Sequence, residues 1–406
     1  MLNRVFVTGY GIVSAFGKSW SAIKDKLKAK QNAVCVMEDW RKYKDLTTFL
    51  AAPILDYAPP KEWNRKQLRS LGRVSQYSVE CAGIALEMAG LKNDENIKDG
   101  RMGVASGSST GSTDAVLDMA KLFLNDENNI NANTYIKFMP HTTAANIALF
   151  YSLKGRLIPT SSACTSGSHA IGYAYEAIKG GKIDMMIAGG AEELCVSEAY
   201  TFNLLYATSL KNDMPKLTPA PFDKNRDGLV IGEGGCMLVL ESESSMKARG
   251  ANPIAEVVGF GSTCDGTHIT RPNSATMKEA MILALKDANL APRDICYINA
   301  HATATKWGDI AESIATNELF GENVPISSLK SYLGHTLGAC GALESAISIE
   351  MMRDEIFYPT INLAEVDSEC AKLDYLQDLR EIRTDFVMNN NFAFGGVNTS
   401  LIFKRV

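Results

Sequence analysis

Apolar runs, many of them β-branched, that stop at Gly or Ser and hand over to helical periodicity recur along the whole chain. They are RVFVTGYGIV, RMGVASGSS, KIDMMIAGGAEE, EGGCMLVLES, NPIAEVVGFG, DICYINAHAT and TSLIFKRV. A strand that is apolar on both faces has to be covered on both, and segments with a 3.6-residue apolar period supply the cover. Such segments lie at 75–89, 166–179, 276–288, 309–319 and 339–352. The chain is therefore expected to be α/β, with buried sheets held between helical layers.

A comparison of the chain with itself adds a second constraint. LIPTSSACTSGSHAIG at 157–172 and VPISSLKSYLGHTLGA at 324–339 both run from a Pro-containing apolar strand through a Ser-Ser pair into a small-residue helix start. In each, the fifth residue after the proline, Cys164 or Lys330, is expected at the turn. Two similar halves follow, 1–248 and 249–406, meeting in the polar stretch ESESSMKARGAN. Ligands of α/β sheets bind beyond the carboxyl ends of the strands, so a site between the halves is expected.

Composition narrows the function classes. The chain has 406 residues, 46% hydrophobic and 21% charged, as a folded protein should, and its net charge of -5 gives no global attraction to nucleic acid. Nine cysteines without a CxxC pair, in a chain too large to need staples, point to a reducing compartment, the cytoplasm. MLNRVFVTGYGIVSAFG lacks a charged n-region and reads as a strand, not a signal peptide. The longest apolar stretches fall far below the roughly 20 residues that span a bilayer, so no membrane insertion is expected. HExxH, clustered cysteine ligands and a Walker loop are all missing, which leaves no metal or nucleotide implied.

Cys164 lies in a strand-to-helix turn crowded with small residues, Ser161, Ser162, Ala163 before it and Thr165, Ser166, Gly167 after. A thiol at a helix N-terminus faces unsatisfied N–H groups and the positive dipole end, which favours thiolate and is expected to lower its pKa from about 8.5. The same N–H groups form half of an oxyanion hole. The alternative is an inert buried thiol, the reading kept for Cys81, Cys236 and Cys296. Of five histidines, His301 leaves the apolar strand DICYINA and His335 follows Lys330-Ser331-Tyr332-Leu333-Gly334 into a Gly- and Ala-rich helix, so both are expected to face one crevice. His141, His169 and His268 are read as packing or loop residues.

Five segments in order, SSACTSGSHAIG, PFDKNRDGLVIGEGG, NAHATATKWGDIAE, KSYLGHTLGACGALE and NNNFAFGGVN, resemble the beta-ketoacyl-[acyl carrier protein] synthases of the elongating, synthase II type. The resemblance spans essentially the whole chain. It implies the duplicated thiolase-like fold, five layers in the order α-β-α-β-α, and decarboxylative Claisen condensation of an acyl-Cys enzyme with a malonyl thioester. It makes Cys164 similar to the acylated nucleophile, and His301 and His335 to the pair that handles the malonyl group. Lys330 and Glu344 resemble the family's lysine and its acidic partner, although a buried ion pair with no chemical role remains open. Asp309 and Glu312 match orienting carboxylates, and Phe394 matches the gating aromatic whose backbone N–H completes the oxyanion hole. Thr303 and Thr305 match the threonines that contact the phosphopantetheine arm. No cofactor beyond the carrier-borne substrates is implied.

Departures from the family pattern are Ala302 for its Gly and Lys306 for its Pro, with Trp307 following, all beside the arm's way in. Ser108 stands where the family often has a bulkier apolar residue at the floor of the acyl pocket, and a small polar floor is expected to admit longer or more unsaturated chains. Aryl polyene or other polyketide chains stand beside fatty acids as expected products. Arg65, Lys66, Arg69 and Arg73 recur at roughly helical spacing and are expected to dock an acidic acyl carrier protein. A homodimer, or a heterodimer with a chain-length factor, is expected from the resemblance. A thiolase using coenzyme A would want a second active-site cysteine in place of a histidine, an initiating synthase would lack His335, and a non-catalytic chain-length factor would typically lack Cys164.

Overall fold

The computed structural model describes residues 2–126 and 130–406. Met1, the first residue of the stretch read as an N-terminal strand, lies outside them. The main sheet has eleven strands: β1 (Val5–Ser14), β2 (Met102–Gly107), β3 (Leu157–Thr160), β4 (Met185–Glu192), β5 (Gly234–Ser242), β6 (Ala255–Cys264), β7 (Ile298–Asn299), β8 (Pro325–Ser327), β9 (Asp374–Tyr375), β10 (Phe386–Ala393) and β11 (Val397–Lys404). Their spatial order is β9-β8-β7-β10-β11-β6-β1-β5-β4-β2-β3.

That order contains the same arrangement twice. In β1-β5-β4-β2-β3 and in β6-β11-β10-β7-β8, the first two pairings are antiparallel and the next two parallel. The two sets join where Val5–Val7 pairs with Ala255–Val257. Helices α1 (Arg73–Met88) and α2 (Thr142–Tyr151) cover the first set and α4 (Ser274–Ala288) the second, with α5 (Lys306–Phe320) packed on α4 and sharing a core cluster with Ile298, Ile326 and Met388 through Ala311 and Ala315. Between the sets lie α3 (Ser166–Lys179) and α6 (Cys340–Asp354), which pack on each other and on strands of both. The result is the expected α-β-α-β-α layering.

Burial explains the layers. Every residue of β1 is buried, and α1 lies so close on it that a Cβ at Gly11 would come within 2.1 Å of the Cys81 carbonyl oxygen. From Cys340 to Met352 every residue of α6 is buried, as a helix covered on all sides requires. It approaches α3 through glycine: a Cβ on Gly341 would lie 2.7 Å from the Ser168 nitrogen.

Residues 386–393, FVMNNNFA, form β10, and Gly395 and Gly396, both at positive φ, turn the hairpin into β11. Two expectations change. DICYINAHAT contributes only the two-residue ladder of β7. The repeat register also shifts. A 3-10 turn, Ala163–Thr165, opens α3 and its counterpart, Leu337–Ala339, opens α6, with Ala163 at φ 51 and Leu337 at φ 44. The structural partner of Cys164 is therefore Gly338, not Lys330, because a helical turn, Lys330–Leu333, is inserted after β8.

Candidate active site

A cavity of about 550 Å³ ends on Cys164, His301 and His335, whose exposures are 4%, 8% and 2%. Cys164 comes from the turn before α3, His301 follows β7, and His335 lies between the helical turn Lys330–Leu333 and the turn Leu337–Ala339. His335 Nε2 is 2.9 Å from Cys164 Sγ, and the His301 and His335 rings meet edge to face with centroids 5.2 Å apart. Backbone bonds hold the main chain of both residues. The His335 N–H donates to the Val230 carbonyl at 2.7 Å and its own carbonyl accepts from Gly232 N–H at 2.9 Å. The His301 and Ala302 N–H groups donate to the two oxygens of Glu312 at 2.8 and 2.7 Å.

Burial dominates the electrostatics. It pushes both histidines well below the ordinary imidazole range, with the positive charge of Lys330 adding to the effect, so both are neutral near pH 7. It pushes the Cys164 thiol up to about 12, against the opposing pull of Lys330 and of the backbone N–H groups of Cys164 and Phe394. The expectation of a lowered thiol pKa is thus corrected: the helix terminus and the N–H pair do favour thiolate, but desolvation of a 4%-exposed sulfur outweighs them. Glu312 is pushed up to about 8 and Asp309 to about 7, again mainly by burial.

Lys330, 1% exposed, pairs with Glu344 Oε1 at 2.5 Å, and this pairing raises the lysine's pKa. Glu344 Oε2 accepts from Asn391 Nδ2 at 2.9 Å and from Asn299 Nδ2 at 3.4 Å, and Asn299 also donates to Asn389 at 2.7 Å. These three asparagines lie inside the segments singled out in the sequence, but nothing local showed that Asn299 and Asn391 reach one carboxylate with Asn389 bonded to Asn299 beside it. Arg226 was missed as well. Its side chain, 2% exposed, lies 3.5 Å from Asp309 and donates to Asp367 at 2.6 Å, while Asp309 accepts from Phe222 N–H at 2.8 Å. Cys340 completes the surroundings, its Sγ donating to the Cys164 carbonyl at 3.2 Å.

The other expected residues divide. Thr303 and Thr305 line the cavity with their hydroxyls 3.1 Å apart, and Phe394 lines it with its ring 4.9 Å from that of Phe202. Ser108 does not line the cavity: it is fully buried and donates to Glu192 at 2.7 Å, a carboxylate that also accepts from Ser109 and Gly338 N–H groups. Arg65, Lys66 and Arg69 are exposed, the first two on a short helix, Arg65–Leu68, capped by Asn64. Arg73 is exposed as well, at the start of α1, and its guanidinium donates to Glu233 at 3.1 Å and to the Tyr77 hydroxyl at 2.5 Å.

Among the described residues, Cys164, His301 and His335 present three donor atoms within 4.8 Å of one another, the spacing of a metal site. The surroundings do not fit an ion. Both Nδ1 atoms are buried without a hydrogen-bond partner, where a metal-bound imidazole would be oriented by one, and the charge of Lys330 opposes a cation.

Residues 2–245 match the beta-ketoacyl synthase N-terminal domain and residues 254–364 the beta-ketoacyl synthase C-terminal domain. The chain is 36% identical over 415 residues to the 3-oxoacyl-[acyl-carrier-protein] synthase 2 of Coxiella burnetii, covering 100% of this chain and 99% of that protein. It superposes on the crystal structure of a beta-ketoacyl synthase from Burkholderia phymatum with a TM-score of 0.98 at 55% identity, each chain covered in full. The ishigamide ketosynthase/chain length factor is similar at 30% identity and a TM-score of 0.91, again with 100% of both chains covered. Matches of this extent, over both halves of the duplicated fold, establish that the chain belongs to the beta-ketoacyl synthase family.

Proposed function

We propose that the protein condenses an acyl group held on Cys164 with a malonyl group delivered on an acyl carrier protein, releasing carbon dioxide and a beta-ketoacyl thioester. The observation that carries this reading is the Cys164 Sγ to His335 Nε2 contact of 2.9 Å beside a second neutral histidine. Sγ attacks the acyl thioester carbonyl, the oxyanion is held by the N–H groups of Cys164 and Phe394, and the carrier thiol leaves with the proton that the cysteine loses. The malonyl thioester then takes its place, its carbonyl accepting N–H bonds from His301 and His335. The bond to the carboxylate breaks, carbon dioxide departs with no proton transfer, and the electron pair becomes an enolate stabilised by the two donors. The enolate carbon attacks the acyl-Cys carbonyl, and collapse returns the sulfur, which takes up a proton. Two neutral imidazoles suit this task because each donates one N–H without adding charge to a dry pocket.

Lys330, Glu344, Asp309 and Glu312 act as positioning residues within the same reading, and Thr303 and Thr305 contact the pantetheine arm. Arg65, Lys66 and Arg69 dock the acidic carrier. The division into units 1–248 and 249–406 belongs to the proposal, supported by the repeated strand order. Pairing with a second copy or with a chain-length factor is supported by the unpaired outer edge of β3 and by the ishigamide relative. No helix among the described residues is long and apolar enough to cross a membrane, and a cytoplasmic setting is the reading that the unpaired cysteines favour. Fatty-acid and polyketide or aryl polyene chains are the two product classes. Intact-mass analysis after incubation with saturated and polyene acyl-carrier thioesters distinguishes them: the adduct maps to Cys164 and is missing in Cys164→Ser. An equal adduct in that variant would overturn the assignment.

A further inference from the structure

Two aromatic side chains stand in solvent at the mouth of a cavity whose floor is closed: Tyr206 is 96% exposed and Trp307 64%, and both line the space that ends on Cys164. An exposed indole is an apolar surface left uncovered in the free protein. It is also held in place. Arg226 donates to the carbonyl of Lys306 at 3.1 Å and reaches that of Thr305 at 3.5 Å, pinning the first turn of α5 from which Trp307 projects. Lys306 lies 5.2 Å from the indole centroid while paired with Glu369 at 2.8 Å. Tyr206, at φ 54, is the left-handed residue of the turn that closes the helix Val196–Leu204, its N–H on the Asn203 carbonyl and the Ala207 N–H on the Phe202 carbonyl, both at 3.0 Å, so its place on the rim is fixed by the helix end.

The Thr303 and Thr305 hydroxyls and the Cys164 thiol line the same cavity, and exposure falls from the two aromatic side chains to Thr303 and Cys164. Exposed aromatic faces, hydroxyls and a buried sulfur nucleophile along one cavity match a long, uncharged, amide-bearing thiol arm entering end first. We infer that Trp307 and Tyr206 are specificity-determining residues that grip the outer part of the pantetheine arm, so that arm-borne acyl groups are preferred over the same acyl groups on a short thiol. This rests on the reading of Cys164 as the acylated residue.

The test uses the full-length protein and one acyl group, hexanoyl, on three carriers: pantetheine, N-acetylcysteamine, which lacks the outer part of the arm, and the holo-carrier as a control. The second-order rate constant for acylation of Cys164 is read by intact mass, and the ratio between the first two is compared across variants. Trp307→Ala and Tyr206→Ala each lower the ratio roughly tenfold, as loss of an aromatic contact should, and Trp307→Phe restores most of it. A ratio unchanged from wild type, on protein that is acylated, overturns this inference alone. So does a loss seen only with hexanoyl on the holo-carrier, which would place the contact on the carrier protein. Wild-type protein that acquires no adduct from any of the three overturns the assigned role of Cys164, and this inference with it.

Discussion

Replacing Glu312 by Gln tests whether the first histidine is held by hydrogen-bond arithmetic. Glu312 is 1% exposed and its two oxygens each accept one backbone N–H, from His301 at 2.8 Å and Ala302 at 2.7 Å. A glutamine presents one carbonyl and one NH₂, so one of those N–H groups must face a donor. An unmet buried N–H costs about 1–3 kcal/mol. Released as displacement of the His301 loop, that energy corresponds to a loss of about 5- to 150-fold in a step that needs His301 in place. The assay, run at pH 9 where Glu312 is ionised, is carbon dioxide release from malonyl-carrier by the acylated enzyme, with acylation of Cys164 as the internal control, since the sulfur is hydrogen-bonded to His335. Decarboxylation falls within that range while acylation changes less than about threefold. Equal losses in both steps, or none in either, would refute the reasoning.

The same substitution has a pH signature. Burial pushes Glu312 up to about 8, and only its carboxylate accepts from both N–H groups, so wild-type decarboxylation rises from pH 7 to 9. The glutamine, a mimic of the protonated acid, is flat there. The two histidines, both far below 6.5, add no limb in that window. For stability the sign is opposite. A folded pKa above the unfolded value of about 4.3 means that the folded state binds the extra proton, so this group's contribution to stability declines as pH climbs from about 4.5 to 8. The glutamine variant lacks that decline.

Glu344→Ala strands the Lys330 ammonium and costs about 3–5 kcal/mol in urea unfolding, whereas the double replacement Lys330→Met with Glu344→Met recovers most of it; equal losses would show that the pair's charge is not the issue. Alkylation of Cys164 by iodoacetamide accelerates with pH without levelling below pH 10, because burial holds the thiol near 12, and a plateau near pH 8 would contradict that balance. Arg65→Glu with Arg69→Glu raises the apparent KM for carrier-borne substrates severalfold at low salt and leaves N-acetylcysteamine thioesters unaffected, while Arg73→Glu instead lowers stability through Glu233.

Much of the site was legible because each chemical group sits in a local pattern. Cys164 stands at a strand-to-helix turn, His301 at a strand end, and His335 in a Gly-rich turn, and each feature is written within a few neighbouring residues. That sheets lie between helical layers followed from two-sided apolar strands alternating with helical periods, while the five-layer order came from the family resemblance. Helix starts were less sharp: α5 begins at Lys306, three residues before the expected 309, since its cap and first turn carry no apolar period.

What the sequence by itself determined, then, is an α/β fold of the beta-ketoacyl synthase family and the three side chains, Cys164, His301 and His335, that the structure brings within 4.8 Å of one another, because those properties are local and periodic. What only the tertiary structure decided is every quantity that sums over distant neighbours. The thiol is raised, not lowered, because residues from both halves exclude water from its sulfur. Asn299 and Asn391 matter because β7 and β10 bring them to Glu344 of α6, and Asn389 accepts from Asn299 beside them. Ser108 is lost to the cavity because Glu192 at the end of β4 takes its hydroxyl. Gly338, not Lys330, is the counterpart of Cys164 because an inserted helical turn shifts the register, and similarity along a chain carries no record of which turns coincide in space.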